Sequence, residues 1–135
     1  MNQQDIRWQQ RFQNFEKAIH YLEDALKIYE PDLTHKAGMI QFFEMCFELA
    51  WNTVKDYSES QGFGDIKSPR AALKKGFEMG LIADGHGWME LMEDRNLTAH
   101  TYDEKVINEI EHLIRHKYYP LIKQLEVSLK QLAKG

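Results

Sequence analysis

The feature that most constrains the fold is a run of large apolar residues near the N-terminus. The spacings between successive members are 4, 3, 4, 3, 4 and 3 residues. This period matches one face of an α-helix and does not match a β-strand, whose side chains alternate with a period of two. The pattern predicts a helix of about seven turns that Pro31 ends, with one apolar seam formed by Trp8, Phe12, Phe15, Ile19, Leu22, Leu26 and Tyr29.

Capping and turn residues divide the chain after this helix into further helical segments. Thr34 is predicted to cap a second helix that runs to about Ser60, because a side-chain oxygen at that position can accept from a free backbone N–H. Ser68-Pro69 combines a serine N-cap with proline at the first helical position and predicts a third, shorter helix. Gly80 is placed to end that helix.

The C-terminal part is predicted to hold two more helical segments. The first covers about Gly87 to Ala99. Thr101-Tyr102-Asp103-Glu104 matches a capping box, so the last helix is expected to start with Tyr102 as its first helical residue. Pro120 lies within the apolar pattern of that helix and predicts a kink between about His116 and Pro120. Since no segment alternates with period two, the sequence indicates an all-α antiparallel bundle.

Composition limits the classes of function. At 135 residues the chain fits a single domain over residues 1–135. The net charge of −4 excludes a chain-wide basic surface for nucleic acid, so any such contact needs a local site or a surface built by association of copies. No apolar run approaches the roughly 20 residues of a membrane span. The single cysteine, Cys46, excludes an internal disulfide and is consistent with a cytoplasmic location. Its apolar neighbours Met45 and Phe47 predict a packed thiol rather than a nucleophile.

The second helix carries a narrow polar line on an otherwise apolar surface, formed by Gln41, Glu44, Glu48, Asn52 and Lys55. One interpretation is a solvent-exposed stripe. The other is that Glu44 or Glu48 faces a cleft and orients a functional arginine or histidine. The wide apolar face also suggests a second buried surface, such as a dimer interface.

Metal binding is considered at Glu109 and His112, which have the E-x-x-H spacing of di-iron bundles. Such a site needs a second E-x-x-H and two further inward glutamates. The sequence has no second E-x-x-H. We therefore expect surface histidines and no metal or other cofactor.

The candidate site is the segment RNLTAHTY, in which Arg95 and His100 are five residues apart and Tyr102 follows. On an unbroken α-helix, residues i and i+5 point to different faces. The two side chains converge more easily if the helix ends before His100. A permanently charged phosphate partner, a group that titrates near neutrality and a phenol are suited to chemistry on a phosphodiester. The alternative is an arginine paired with Glu93 or Asp94 and a histidine at a helix junction.

Four blocks in order carry a family resemblance: RWQQRFQNFEKA, FFEMCFELAWNTVKDY, SPRAALKKGFEMGLI and LMEDRNLTAHTYDE. Together the chain resembles the HEPN superfamily and, more narrowly, the nucleotidyltransferase substrate-binding protein family. The resemblance implies an up-and-down four-helix bundle with an additional short helix, which forms homodimers. It also implies a minimal nucleotidyltransferase as the partner, in a toxin–antitoxin arrangement.

The same resemblance assigns roles to the motif residues. Arg95 and His100 match the catalytic pair of metal-independent HEPN ribonucleases, and Asn96 matches the polar residue that commonly follows the arginine. Tyr102 matches the tyrosine to which the nucleotidyltransferase attaches AMP. The main expectation is an RNase that this modification silences. The alternative is a subunit that binds a nucleotide or another substrate without turnover.

Overall fold

The computed structural model describes residues 2–134, and this part of the chain is all-helical. Besides its α-helices, this part contains a 3-10 helix, Arg95–His100, and a π-helical turn, Ile114–Tyr118. The predicted all-α, antiparallel up-and-down bundle is confirmed. The α-helices are α1 (Gln3–Leu26), α2 (Leu33–Ser60), α3 (Pro69–Glu78), α4 (Gly85–Asp94), α5 (Glu104–Leu113) and α6 (Tyr119–Lys134).

Helix α1 buries most of the predicted apolar seam, from Trp8 to Leu22, against the core. The helix ends at Leu26, and the seam's last member, Tyr29, is 87% exposed. The prediction that the helix continues to Pro31 is therefore wrong by about one turn. Proline disfavours the helical conformation in the residue before it, and Glu30 has a left-handed φ of 49°, so the helix has already ended when the chain reaches the proline.

Helices α2 and α3 differ in how well their caps were predicted. Ser68 caps α3 by accepting from the backbone N–H of Ala71 at 3.1 Å, and Gly80, with φ of 80°, follows its end, as expected. Helix α2 is capped by Asp32, whose carboxylate accepts from the backbone N–H of His35 at 2.9 Å. Thr34 lies within the first turn, so its prediction as the cap is wrong.

The predicted capping box before the last helix is also wrong. The backbone of Thr101 is still helical, with φ of −72° and ψ of 0°, whereas an N-cap residue is normally extended. Asp103 is the cap of α5, and its carboxylate accepts from the backbone N–H of Lys105 at 3.0 Å. Tyr102 consequently lies in an exposed turn between the 3-10 helix and α5, and is not a helical residue.

The sequence predicted a kink between about His116 and Pro120, and the structure has a π-helical turn, Ile114–Tyr118, that overlaps this stretch. Proline has no backbone N–H and cannot donate to the carbonyl four residues earlier, that of His116. A π-turn adds one residue to a helical turn. Ile114 and Tyr118, at the two ends of the π-turn, are both buried in the core, and the Tyr118 ring stacks on Phe43 at a centroid distance of 5.9 Å.

The core runs through all of the α-helices, and its largest fully buried side chains include Phe15, Phe43, Phe47, Trp88 and Tyr118. The Phe47 ring also contacts the guanidinium of Arg95. Among residues 2–134, none of the helices has the length and apolar character needed to cross a membrane.

Candidate active site

The 3-10 helix that carries the motif is anchored at its start. Asp94, the last residue of α4, accepts a hydrogen bond from the hydroxyl of Tyr118 in the π-helical turn. Burial and the neighbouring Asp94 carboxylate raise the pKa of the Tyr118 hydroxyl, so it stays a donor. The hydroxyl of Thr98 donates to the carbonyl of Arg95 at 2.7 Å and closes the first turn. The backbone at Arg95 is thereby tied to the core.

Arg95 is held by side chains of α2. Its Nη1 donates to Oε1 of Glu48 at 2.8 Å, and its guanidinium carbon lies 4.5 Å from the centre of the Phe47 ring. The other carboxylate oxygen of Glu48 accepts from the indole N–H of Trp51 at 2.9 Å. The Arg95 side chain is 30% exposed. The arginine is therefore oriented and still reachable from solvent.

His100 and Tyr102 form a second contact at the other end of the 3-10 helix. The Nδ1 atom of His100 lies 3.1 Å from the Tyr102 hydroxyl, and the two rings meet edge to face at 5.7 Å. Both side chains are exposed, and Tyr102 is 83% exposed. The phenol that follows the histidine in the motif thus contacts one of the two imidazole nitrogens.

The structure brings the predicted residues onto one surface segment without joining Arg95 to His100. Each takes a different partner, Glu48 and Tyr102 respectively. Because a 3-10 helix rises about 2.0 Å per residue, the two backbones are separated by roughly 10 Å along its axis. Asn96 is exposed on the same segment. The α-helix does end before His100, at Asp94, but the chain continues as a 3-10 helix through His100, and the two side chains contact different partners.

The structure bears on both interpretations of the polar line along α2: its five residues are exposed or half-buried, as expected for a solvent-exposed stripe, and Glu48, which is 55% exposed, also contacts Arg95. The two acidic neighbours of Arg95 in the sequence have other partners. Oε1 of Glu93 lies 4.0 Å from Nη2 of Arg70, and the Asp94 carboxylate accepts a hydrogen bond from the Tyr118 hydroxyl. Glu44, one turn earlier, lines a cavity of about 300 Å³ together with Glu48, and Glu48 pairs with the arginine. The sequence signal for this role was the polar line along α2.

Other candidate groups lie outside the site. In the described part of the chain, no group of three or more His, Cys, Asp or Glu side chains is arranged to hold a metal ion. His112 and His116 are exposed, with ring centroids 4.5 Å apart. Cys46 is fully buried, and burial raises the pKa of its thiol to about 12. A thiol that stays protonated at neutral pH is not a nucleophile.

A family model described as nucleotidyltransferase substrate binding protein like matches residues 10–131. The chain belongs to this family. It is 34% identical over 79 residues to the probable ribonuclease HepT of Haemophilus influenzae, an alignment that covers 51% of this chain and 50% of that protein. The chain therefore spans about half the length of the curated relative that it matches.

Solved structures show the same fold. The crystal structure of ttk003001694 from Thermus thermophilus superposes with a TM-score of 0.73 at 29% identity, covering 82% of this chain and 94% of that chain. A tri-AMPylated HEPN toxin of Shewanella oneidensis, in complex with its MNT antitoxin, gives a TM-score of 0.71 at 18% identity over 97% of this chain and 99% of that chain. The family member described here thus has a HEPN-type fold.

Proposed function

We propose that residues 1–135 form a single HEPN domain that acts as a metal-independent endoribonuclease and pairs with a minimal nucleotidyltransferase in a toxin–antitoxin system of the cytoplasm. The match to the family model and the likeness to a probable ribonuclease support this proposal. The observation that carries it is the exposed 3-10 segment, which presents Arg95 and His100 together with a tyrosine hydroxyl 3.1 Å from the His100 imidazole.

The proposed reaction uses the RNA's own 2′-hydroxyl as the nucleophile. With Nδ1 of His100 beside the Tyr102 hydroxyl, Nε2 is the ring nitrogen that takes the proton from the 2′-hydroxyl. The 2′-oxygen attacks the adjacent phosphorus, and the P–O bond to the 5′-oxygen of the next nucleotide breaks. Arg95 neutralises charge on the phosphorane, and the products are a 2′,3′-cyclic phosphate and a 5′-hydroxyl after the leaving oxygen takes up a proton.

A homodimer is part of the proposal because the chain is acidic overall. The net charge of −4 does not favour binding of RNA across the whole chain. Two copies that place their motifs in one groove concentrate two arginines and two histidines along a single RNA strand.

Tyr102 is the proposed control point. The partner nucleotidyltransferase transfers AMP from ATP to the Tyr102 oxygen, forming a phosphodiester and releasing pyrophosphate. The phenol is 83% exposed, so a second enzyme can reach it. AMP at this position adds bulk and a negative charge two residues from His100, which opposes RNA binding by steric exclusion and by repulsion.

The first test is cleavage of RNA in the presence of EDTA. The wild-type protein is expected to cut RNA and leave cyclic phosphate ends. His100→Ala and Arg95→Ala are each expected to reduce the rate by at least about 100-fold, in line with the loss of a general base or of a transition-state charge partner. Circular dichroism serves as the folding control. Cleavage at the wild-type rate by both variants would rule the proposal out.

The second test follows the mass of the protein after incubation with the partner nucleotidyltransferase and ATP. The expected result is a gain of one or more AMP residues and a loss of RNA cleavage. Tyr102→Phe should gain none, because the acceptor oxygen is absent. Tyr29→Phe is the matched control, since Tyr29 is similarly exposed at 87%. A gain of AMP by Tyr102→Phe equal to that of the wild type contradicts the assignment.

The alternative function is a subunit that binds a nucleotide or another substrate without turnover. It is favoured by the acidic net charge and by the ion pair that already engages Arg95. Under this alternative, Arg95 and His100 hold a phosphate group for the partner nucleotidyltransferase. This alternative would be favoured over the ribonuclease if isothermal titration detects nucleotide binding and the wild-type protein does not cleave RNA.

A further inference from the structure

Arg95 is fixed by a group of α2 side chains that lies outside the RNLTAHTY motif. Glu48 binds Nη1 of the guanidinium at 2.8 Å, and the Phe47 ring lies beneath the guanidinium at 4.5 Å. Trp51 donates to the second oxygen of Glu48 at 2.9 Å and thereby fixes the carboxylate itself. The carboxylate has a partner for each of its oxygens, so its orientation is set by two contacts rather than one.

The backbone that carries Arg95 does not by itself fix the position of the guanidinium. A 3-10 helix has poorer hydrogen-bond geometry than an α-helix and is stable only over short stretches. An arginine side chain also has many rotamers and loses that freedom when it must hold one orientation. In contrast, α2 is a 28-residue helix with core residues along its length. Contacts with the long helix α2, and not only the 3-10 segment that carries Arg95, therefore hold the guanidinium in position.

We propose that Glu48 is a positioning residue for Arg95, an inference that rests on the ribonuclease function proposed above. The carboxylate engages Nη1 of the guanidinium, and a guanidinium has five N–H donors. The remaining donors stay available for the phosphate, and their direction is set before RNA binds. A group that is oriented in advance stabilises the transition state without a cost of reorganisation during the reaction.

The negative charge of Glu48 should weaken RNA binding, whereas its contact with Arg95 should increase the rate of cleavage. A carboxylate beside the phosphate site repels bound RNA, and this weakens ground-state binding. The same carboxylate directs the arginine and so increases the rate of the chemical step. Removal of Glu48 should therefore lower kcat and leave KM equal or lower, which is a combination that a general loss of structure does not produce.

The kinetic test compares four proteins, the wild type and three variants on α2. Glu48→Ala is expected to lower kcat by about 10- to 100-fold, the scale of a misplaced catalytic group, without raising KM. Glu48→Gln should lose less, because its amide oxygen can still accept from Arg95. Glu44→Ala, one turn earlier on the same polar line, is the matched control and should behave like the wild type. An unchanged kcat, or a higher kcat/KM, in Glu48→Ala overturns the inference and makes Glu48 a restraint on RNA binding.

A second measurement does not depend on cleavage. The guanidinium signals of Arg95, assigned by their loss in Arg95→Lys, are observed by nuclear magnetic resonance. Restricted rotation is expected in the wild type and in Glu44→Ala, and fast rotation in Glu48→Ala. If the wild type does not cut RNA, the proposed ribonuclease function fails, while restricted rotation lost in Glu48→Ala still supports positioning by Glu48. Fast rotation in the wild type overturns positioning whatever the activity.

Discussion

At the scale of single residues, the buried carboxylate of Asp56 is the least expected feature. It is 3% exposed, and Nε of Arg11 lies 3.1 Å from Oδ2 at an angle that does not make a hydrogen bond. Burial raises the pKa of this carboxyl, and the charges of Arg11, Lys55 and Arg7 offset only part of the rise. An ionised carboxylate in this position costs free energy because its attraction to the nearby cations does not replace its lost hydration.

This environment predicts how stability depends on pH. The folded state binds the Asp56 proton more tightly than the unfolded chain, whose ordinary pKa is 3.8. The wild type should therefore gain stability relative to Asp56→Asn as pH falls from neutral through the raised pKa towards that value. The free energy of unfolding, measured with urea at pH 7 and at acidic pH, checks the prediction. A difference between the two proteins that stays constant, or that changes in the opposite direction, contradicts it.

Asp56 was not singled out by sequence, whereas Cys46 was. Apolar neighbours on α2 predicted a packed thiol, and Cys46 is fully buried with its pKa raised to about 12. The difference is physical. An apolar environment follows from helical periodicity, but whether a polar residue on the same helix is buried depends on which neighbouring helix covers it.

At the scale of secondary-structure elements, the N-cap residues show where a local sequence pattern predicted the start of a helix correctly. Ser68 is the cap that the sequence indicated, while Thr34 and Thr101 are not caps. In both failures an aspartate two residues away, Asp32 or Asp103, takes the role. Asp and Thr both cap helices well, so a local pattern cannot choose between neighbouring candidates. The choice depends on where the preceding chain leaves its own helical conformation.

The π-helical turn makes a testable connection to the site. Tyr118→Phe removes the hydroxyl that donates to Asp94, next to Arg95. Because the half-buried Asp94 carboxylate then lacks this donor, the free energy of unfolding should fall by about 1–2 kcal/mol. The midpoint of urea unfolding measures the loss. Tyr29→Phe, at a site 87% exposed, should leave the midpoint unchanged, and an equal midpoint for Tyr118→Phe would show that the hydrogen bond contributes nothing.

At the scale of the whole molecule, the family and fold agree with the resemblance seen in the sequence. The family model spans residues 10–131, and the bundle superposes on a HEPN toxin over 97% of the chain. The homodimer and the nucleotidyltransferase partner stay predictions. They matter for the proposed function because a net charge of −4 does not favour RNA binding by a single copy, and association of copies would add a second surface.

The sequence by itself determined the helical class, most of the core and the residue types of the candidate site. These features are local: an apolar period of 3.6 residues defines a helix and its buried face, and a motif is a set of neighbours. The tertiary structure decided that Arg95 binds Glu48, 47 positions earlier, and that Asp94 binds Tyr118. Such pairs depend on how helices cross and in which register they pack, and the periodicity of a single helix does not encode either quantity.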